Sequence, residues 1–248
     1  KYSENFLKDI LKFKENCKFQ VHNYFPPPKE PFVINLASLN KEIEDKSLRQ
    51  VEQSIIFASK IGASHYSVHA GFLLDPQPKE LGSSIKKVQI FDKEKIKEKF
   101  FKNINKISEI SKKYKINLLV ENNVVSHQNI KNFGQNPFLI STPDEIKEFL
   151  SYVSVSKVNI LIDVAHLKVS SNSLNFSANK FLHNCEGRVG GYHLSDNDGL
   201  NDTNEVFNPN SWFWDYIDKK INYFTIEVYN VEPDILKKQR DIVEKKIK

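Results

Sequence analysis

The sequence predicts an α/β protein built on a parallel sheet, either a doubly wound sheet or a (β/α)₈ barrel. Short apolar runs alternate with longer segments of helical period along the 248 residues. Several of these runs are apolar on successive residues, which is typical of strands buried on both faces of a parallel sheet. Because 40% of the residues are hydrophobic, the chain can also bury a sizeable core.

Six short runs are the predicted strands. They are, in chain order, Phe19–Val21, Tyr66–Val68, Leu118–Val120, Ile160–Ile162, Val189–Leu194 and Phe224–Val228. A complete barrel has eight βα units. The segment Ser3–Asn16 has the pattern of a helix with no strand before it. We therefore expect residues 1–248 to form a single domain which, as a barrel, lacks its first one or two βα units.

Helices are predicted between the strands. Thr142-Pro143-Asp144-Glu145 has the form of a helix start, with Thr142 as the N-cap and Glu145 closing a capping box. Apolar residues that share one helical face predict two further helices. These residues are Leu48, Val51, Ile55 and Ala58 in the first helix, and Ile96, Phe100, Ile104 and Ile107 in the second.

The net charge of +5 is weak evidence for a nucleic-acid partner. The basic residues are nearly all lysine, with arginine only at Arg49, Arg188 and Arg240. Arginine is the better reader of phosphates and bases, so its scarcity argues against a dedicated DNA surface. The net charge is evidence about solubility before it is evidence about binding partners.

The cysteine pattern and hydropathy predict a cytoplasmic protein. Cys17 and Cys185 are far apart and not in CxxC spacing, which argues against a disulfide framework and against a cysteine zinc site. No apolar run approaches the roughly 20 residues of a membrane span. The first sixteen residues are charged and amphipathic, unlike a signal peptide.

Polar residues of metal-binding type occur at the C-terminal end of every predicted strand. In a parallel barrel all of these ends open on one face, so the side chains would converge. A carboxylate at a buried strand end is costly unless it is paired or bound to a metal. Histidine and carboxylate ligands suit zinc, manganese or a related divalent ion. The series that predicts a metal centre is His22, His69, Glu121, Asp163, His193 and Glu227.

The ordered motifs resemble the xylose isomerase-like TIM-barrel superfamily. The matching strings are Phe-Gln-Val-His22, Tyr-Ser-Val-His69-Ala-Gly, Leu-Val-Glu121-Asn-Asn, Ile-Asp163-Val-Ala-His166, His193-Leu-Ser-Asp-Asn-Asp-Gly and Thr-Ile-Glu227. That superfamily includes sugar and sugar-phosphate isomerases and epimerases, and also endonuclease IV-type apurinic-site nucleases. The resemblance implies a (β/α)₈ TIM barrel. The string Asn-Leu-Ala-Ser at 35–38 resembles the nuclease branch.

The resemblance also implies a role for each residue of the series. The four-ligand site shared across the superfamily matches Glu121, Asp163, His193 and Glu227. In the nuclease branch, His22 and His69 match ligands of a second metal that is bridged through Glu121. His166 and Asp202 match two ligands of a third metal there. The implied cofactor is zinc or manganese, with one to three ions.

The chain departs from the nuclease pattern at the third metal site and from the family pattern after His22. That pattern expects a histidine two residues after Asp202, where this chain has Asn204, and neutral asparagine is a poor zinc ligand. A proline-containing insertion, Asn23–Pro31, follows His22. It is either a stiff loop at the rim of the site, with Tyr24 and Phe25 as an apolar wall for substrate, or a surface loop without a ligand role.

Three functions are compatible with the sequence to different degrees. The favoured one is a divalent-metal-dependent sugar or sugar-phosphate isomerase or epimerase, in which, as the resemblance implies, Glu121 and Glu227 move the proton next to a metal-polarised carbonyl. His166 and Asn122 would contact substrate hydroxyls. The alternative is an endonuclease IV-like apurinic-site nuclease, which makes DNA the less favoured partner. A non-catalytic scaffold is disfavoured by the retained ligand set, and a homo-oligomer is left open.

Overall fold

Strands and helices alternate along the chain in the computed structural model, which describes residues 5–80, 85, 89–153 and 156–248. The strands are β1 (Val21–His22), β2 (His65–His69), β3 (Asn117–Glu121), β4 (Val158–Asp163), β5 (Val189–Leu194) and β6 (Phe224–Ile226). The helices are α1 (Asn5–Leu11), α2 (Lys41–Ile61), α3 (Lys93–Tyr114), α4 (His127–Phe133), α5 (Pro143–Tyr152), α6 (Val164–Ser173), α7 (Ala178–Asn184) and α8 (Pro233–Ile247).

The chain forms two compact units. The first comprises Lys1–Val120 and Ser151–Asn159, and the second comprises Glu121–Leu150 and Ile160–Lys248. The assignment of residues 1–248 to a single domain stays a prediction.

In the first unit, β1 pairs with β2 in parallel, with His22 opposite Ser67. Helix α2 begins at the N-cap Asn40, whose side chain accepts from the Glu42 N–H, and ends at Gly62 in the left-handed region. Packing between α2 and α3 forms the core of this unit. The predicted apolar faces are confirmed, except that Leu48 is only half-buried. The fully buried members are Val51, Ile55, Ala58, Ile96, Phe100, Ile104 and Ile107.

In the second unit, β4, β5 and β6 pair in parallel in chain order. The register places Asp163 opposite His193, and His193 opposite Thr225. The pairing continues past the end of β6, because the Glu227 N–H donates to the Leu194 carbonyl at 3.0 Å. Strand β4 is a nearly continuous apolar run, and its residues Ile160, Leu161 and Ile162 are fully buried, as in strands covered on both faces.

A glycine permits close packing beside β5. A Cβ on Gly191 would lie 2.4 Å from Cδ1 of Tyr223, too close for any side chain without movement of that ring. The next residue, Tyr192, stacks on Phe224 with ring centroids 5.5 Å apart. The glycine therefore lets Tyr223 pack against β5 two residues before His193.

Two predicted helix starts differ in detail from the structure. Helix α5 does begin at Pro143, with the Glu145 N–H donating to Thr142 Oγ1 at 3.3 Å. The Glu145 carboxylate, however, accepts from the N–H of Ser141 rather than from that of Thr142. Helix α1 is shorter than the predicted Ser3–Asn16, and Ser3 itself lies outside the described residues.

Among the residues described, none of the helices combines the length and apolarity that crossing a membrane requires.

Candidate metal centre

The second unit gathers four of the predicted ligands at the ends of its strands. Glu121 is the last residue of β3, Asp163 is the last of β4, His193 lies in β5, and Glu227 directly follows β6. One ligand atom from each residue lies within 4.8 Å of those of the other three. Glu121, Asp163 and His193 are at most 1% exposed. The parallel strand order therefore brings this ligand set together as the sequence predicts.

The two oxygens of Asp163 have different surroundings. Asp163 is the N-cap of α6, and its Oδ1 accepts from the His166 N–H at 2.8 Å. Its Oδ2 is buried and accepts no hydrogen bond from the part of the chain that the structure describes. That oxygen lies 3.9 Å from Nδ1 of His193. A buried carboxylate oxygen of this kind is costly unless a cation lies beside it.

His193 faces three carboxylates through its Nδ1. The nitrogen is 3.0 Å from Oε1 of Glu227 and 3.3 Å from Oε1 of Glu121. Burial lowers the pKa of His193, but the carboxylates of Glu121 and Glu227 outweigh it, so that the pKa lies well above its usual value. The pKa of Asp163 is also raised, to about 6. Burial is the main cause and the charge of Glu121 adds to it, whereas the charge of His166 acts in the opposite direction.

This donor set fits a divalent metal ion. Three carboxylates and one imidazole nitrogen are the ligand types that manganese and zinc accept. Without positive charge between them, three carboxylates at this burial repel each other and retain protons. The orphaned Oδ2 of Asp163 and the raised pKa values of Asp163 and His193 are what such a repulsive cluster produces.

His166 and Asp202 form a pair next to these four residues. Nε2 of His166 lies 3.2 Å from Oδ2 of Asp202, and its Nδ1 lies 2.9 Å from the Asn122 carbonyl oxygen. Burial lowers the pKa of His166, but the charges of Asp163 and Asp202 raise it well above its usual value. The structure thus brings together the two residues that the resemblance assigns to a third metal. Asn204, which replaces the expected histidine, is buried with φ +50°.

Asn122, which is predicted to contact substrate, is hydrogen-bonded to the backbone of Asp163. Its Oδ1 accepts from the Asp163 N–H at 2.8 Å, and its Nδ2 donates to the Asp163 carbonyl at 3.0 Å. The side chain is therefore directed along the backbone of the next strand. Residue type alone could not show this, because an asparagine amide serves a sugar hydroxyl and a peptide group equally well.

Sequence reasoning missed the lysine that fixes the loop after β5. Lys168, two residues beyond His166, donates to Oδ1 of Asp196 at 2.7 Å and also to the Asn197 carbonyl. Oδ2 of Asp196 accepts from the Ser211 hydroxyl at 2.9 Å. Asp196 thus connects Lys168 of α6 to Ser211, farther along the chain after β5. Asp196 lies in the His-Leu-Ser-Asp string that matches the superfamily, whereas Lys168 carried no sequence signal.

Tyr229 was also missed. It is 58% exposed, and its backbone N–H donates to the Asn204 carbonyl at 3.1 Å. Partial burial raises the pKa of its hydroxyl, with further increases from the charges of Glu227 and Asp202. A signal did exist, because Tyr229 is two residues past Glu227, and such residues share a face in extended chain.

The first unit holds the two remaining predicted ligands, His22 and His69. Their rings are neighbours, with centroids 5.0 Å apart. His22 Nδ1 lies 2.9 Å from the Ser67 hydroxyl, and its Nε2 lies 2.6 Å from Nδ2 of Asn23. Oδ1 of Asn23 accepts from the His69 N–H at 3.1 Å. Both ring nitrogens of His22 thus have polar neighbours within this unit, and a metal ion would compete with them.

The aromatic residues of the proline-containing insertion pack within the first unit. Tyr24 accepts from the Ile34 N–H at 2.7 Å through its hydroxyl. Phe25 lies 5.4 Å from Phe57 of α2 and 5.3 Å from Phe6 of α1, measured between ring centroids. These contacts give both residues a packing role. Their predicted contact with substrate stays a prediction.

The Asn-Leu-Ala-Ser string has a structural role. Asn35 donates to the Leu74 carbonyl at 3.0 Å and to Oδ1 of Asp75 at 2.8 Å, while Ser38 donates to Oδ2 of Asp75 at 2.9 Å. The segment after β1 is thereby fixed to the segment after β2. Close approach at Gly71, where a Cβ would meet that of Ala37 at 2.4 Å, completes the contact.

Comparison with protein-family models gives one match over nearly the whole chain. The model described as "Xylose isomerase-like TIM barrel" matches residues 7–245. The chain belongs to this family. The fold and the superfamily expected from the strand-end motifs are therefore confirmed. No curated protein sequence matches the chain significantly.

Solved structures of the xylose isomerase-like fold resemble this chain along its length. A D-tagatose 3-epimerase-like protein has 18% identity and a TM-score of 0.72, over 99% of this chain and 83% of the other. D-psicose 3-epimerase with D-tagatose, from Clostridium cellulolyticum H10, has 12% identity and a TM-score of 0.66, over 99% and 83%. A Thermus thermophilus protein soaked with ZnCl₂ has 18% identity and a TM-score of 0.61, over 98% and 87%. Identities this low establish similarity of fold alone.

Proposed function

We propose that the chain is a divalent-metal-dependent sugar or sugar-phosphate isomerase or epimerase. The observation that carries the proposal is the buried cluster of Glu121, Asp163, His193 and Glu227, whose ligand atoms lie within 4.8 Å of one another. These four residues would hold the ion. When bound, a divalent ion would polarise a substrate carbonyl and so acidify the carbon next to it.

Two of these carboxylates are suited to moving that proton. Glu121 and Glu227 both lie close to Nδ1 of His193, at 3.3 and 3.0 Å. Glu121 is fully buried, whereas the Glu227 side chain is 18% exposed. In epimerisation, one carboxylate would remove the proton from one face of the carbon, and the other would return a proton to the opposite face of the same carbon. In isomerisation, the proton would return to the former carbonyl carbon, and a second proton would move from the neighbouring hydroxyl to the carbonyl oxygen.

The substrate class is supported by the similar structures. Two of them are named as a D-tagatose 3-epimerase-like protein and a D-psicose 3-epimerase, which points to ketoses or their phosphates as first candidates. Cys17 and Cys185 are free thiols, consistent with the proposed cytoplasmic location. Zinc or manganese as the metal, and assembly into a homo-oligomer, stay predictions.

Proton exchange in D₂O tests the proposal without knowledge of the product. The protein would be incubated with Mn²⁺ and a panel of ketoses and ketose phosphates, and deuterium at the carbon next to the carbonyl would be followed by NMR. We expect incorporation for at least one sugar, and a loss of about 10²- to 10⁴-fold in Glu227→Gln. Glu232→Gln, an exposed glutamate before α8, is the matched control. Absence of exchange across the panel would contradict the proposal.

One observation favours a second candidate, an apurinic-site nuclease. His22 and His69 are neighbours at the ends of β1 and β2, as a further metal site requires. Against it, Asn23 lies 2.6 Å from Nε2 of His22, and Asn204 replaces the expected third-site histidine. Incision of a duplex with a single abasic site, measured with Zn²⁺ and at matched protein concentration, would distinguish the two. The isomerase proposal expects no incision above a heat-denatured control.

A further inference from the structure

We propose that Asn122 is a positioning residue that fixes the metal ligand Asp163 and the neighbouring His166, rather than a contact for substrate. The inference rests on the proposed function, because it takes Asp163 as a ligand. It arises from three hydrogen bonds that the amide and the backbone of one buried residue make to these two neighbours.

The amide of Asn122 pairs with the backbone N–H and carbonyl of the last residue of β4. Its Oδ1 accepts from the Asp163 N–H at 2.8 Å, while its Nδ2 donates to the Asp163 carbonyl at 3.0 Å. The side chain thus continues, past the last residue of β3, the kind of pairing that strands make through their backbones. Since both bonds meet the backbone of a single residue, they restrict where the Asp163 carboxylate can lie.

The backbone of Asn122 fixes His166 in the same way. Nδ1 of His166 lies 2.9 Å from the Asn122 carbonyl, which can only accept, so Nδ1 carries the proton. Nε2 is then directed at Asp202, 3.2 Å away. The His166 N–H in turn donates to Oδ1 of Asp163, which closes a ring of contacts through Asn122, Asp163 and His166.

A substrate role fits this amide poorly. Asn122 is 1% exposed, and its Oδ1 together with an Nδ2 proton are already engaged by Asp163. To reach a sugar hydroxyl, the amide would have to leave the N–H and carbonyl of Asp163 without these partners. Buried backbone groups left in that state are costly.

Metal affinity measured without substrate distinguishes positioning from substrate binding. Calorimetric titration of the metal-stripped protein with Mn²⁺ would compare wild type, Asn122→Ala and Asn122→Asp. We expect Asn122→Ala to weaken Mn²⁺ binding by about 10- to 100-fold, the usual effect of losing a residue that orients a ligand. We expect Asn122→Asp to weaken it also, because a carboxylate oxygen would face the Asp163 carbonyl where Nδ2 now donates.

Asn123→Ala is the matched control. Asn123 is the next residue, is 6% exposed, and donates through Nδ2 to the Leu139 carbonyl at 2.9 Å. Its loss would lower stability to urea as the loss of Asn122 does, but it should leave Mn²⁺ affinity within about twofold of wild type, because this amide donates to the Leu139 carbonyl rather than to Asp163. A purely structural role for Asn122 would instead make the two alanine variants alike in both measurements.

The outcomes separate this inference from the proposed function. Unchanged Mn²⁺ affinity in both Asn122 variants, with a raised KM, would overturn the inference and restore the substrate contact while leaving the metal-dependent isomerase intact. A wild-type protein that binds no Mn²⁺ or Zn²⁺ would overturn both. Should Asn122→Ala fail to fold, Asn122→Ser would be used, since it creates a smaller cavity and retains a hydroxyl.

Discussion

Asp163 shows how a single side chain can serve the fold and the site at once. Its Oδ1 caps α6 through the His166 N–H, and its Oδ2 is directed at the cluster of carboxylates. The Asp-x-x-His spacing is the spacing of an N-cap and the third residue of a helix. This is why strand β4 can pass into α6 without a loop and still present a ligand.

Replacing this aspartate by its amide should separate the two roles. In Asp163→Asn, the side-chain oxygen can still cap α6, but the negative charge is lost. We expect a thermal midpoint close to that of the metal-free wild type, and Mn²⁺ binding weakened by about 100-fold or more, since a neutral amide is a poorer ligand. Asp92→Asn, at the N-cap of α3, is the control and should leave Mn²⁺ affinity unchanged. Equal losses of affinity in both variants would contradict the assignment.

Protonation of the centre predicts how metal stabilisation depends on pH. The pKa of Asp163 is raised to about 6, and those of His193 and His166 are raised well above their usual values. Raised pKa values mean that the metal-free fold is favoured by protons on these groups, and this contribution is lost as pH rises through the folded-state pKa values. Metal binding needs the deprotonated ligands, so it strengthens over the same range.

The gain in melting temperature on adding Mn²⁺ should therefore be small at about pH 5 and larger at about pH 8. Thermal denaturation with and without the ion, at constant ionic strength, measures this difference. The His193→Ala variant should show little gain at either pH. An equal gain in the melting temperature of the wild type at both pH values would contradict the prediction that the ligands retain protons in the metal-free protein.

At the residue scale, the sequence predicted which charged side chains converge, because charge and strand position act together. Glu121, Asp163, His193 and Glu227 were found because a charged residue at a buried strand end is costly unless it is paired or binds a metal. The bonds of Asn122 to the Asp163 backbone could not be predicted, because the direction of a neutral amide depends on distances across strands. Those distances do not appear in a linear sequence.

At the scale of elements, the loop that follows β5 is held by α6. Lys168 donates to Asp196 and Asn197, and Asn172 donates to the Gly199 carbonyl at 3.0 Å. The loop also closes on itself through the paired backbones of Asp196 and Glu205. It carries Asp202 toward His166, so its fixation bears on the site.

Breaking this connection should loosen the loop. In Asp196→Ala, the half-buried Lys168 ammonium and the Ser211 hydroxyl lose an acceptor, which we expect to cost about 1–3 kcal/mol of unfolding free energy. Urea denaturation measures the loss. Asp198→Ala is the control, because that carboxylate is exposed and accepts from the Leu200 and Asn201 N–H groups; we expect a smaller cost there. Similar losses for both would show that Asp196 is no more than a turn residue.

Elements were predicted well where the pattern is long and less well where it is short. The buried faces of α2 and α3 follow from helical spacing over 21 and 22 residues. Strand β1 spans only Val21–His22, and the predicted run Phe19–Val21 placed its start too early. The Glu145 carboxylate reaches Ser141 rather than Thr142, a shift to the adjacent residue that sequence spacing cannot resolve.

At the scale of the whole chain, the order of the strand-end motifs carried the assignment. Each motif is short, but a family model matches residues 7–245, which include every predicted ligand from His22 to Glu227. The order of the motifs is informative because successive parallel strands place their carboxyl ends at the same face of the sheet. It does not distinguish an isomerase from a nuclease, since these branches of one fold share metal ligands and differ in substrate contacts.

The most direct test of the metal centre is a crystal structure of the chain loaded with Mn²⁺, with anomalous scattering used to locate the ion. We predict a strong peak within coordination distance of Glu121, Asp163, His193 and Glu227. Two results would contradict the claim that these residues form the metal centre. One is a protein that takes up no Mn²⁺. The other is an anomalous peak that lies beside other residues and leaves this cluster without an ion.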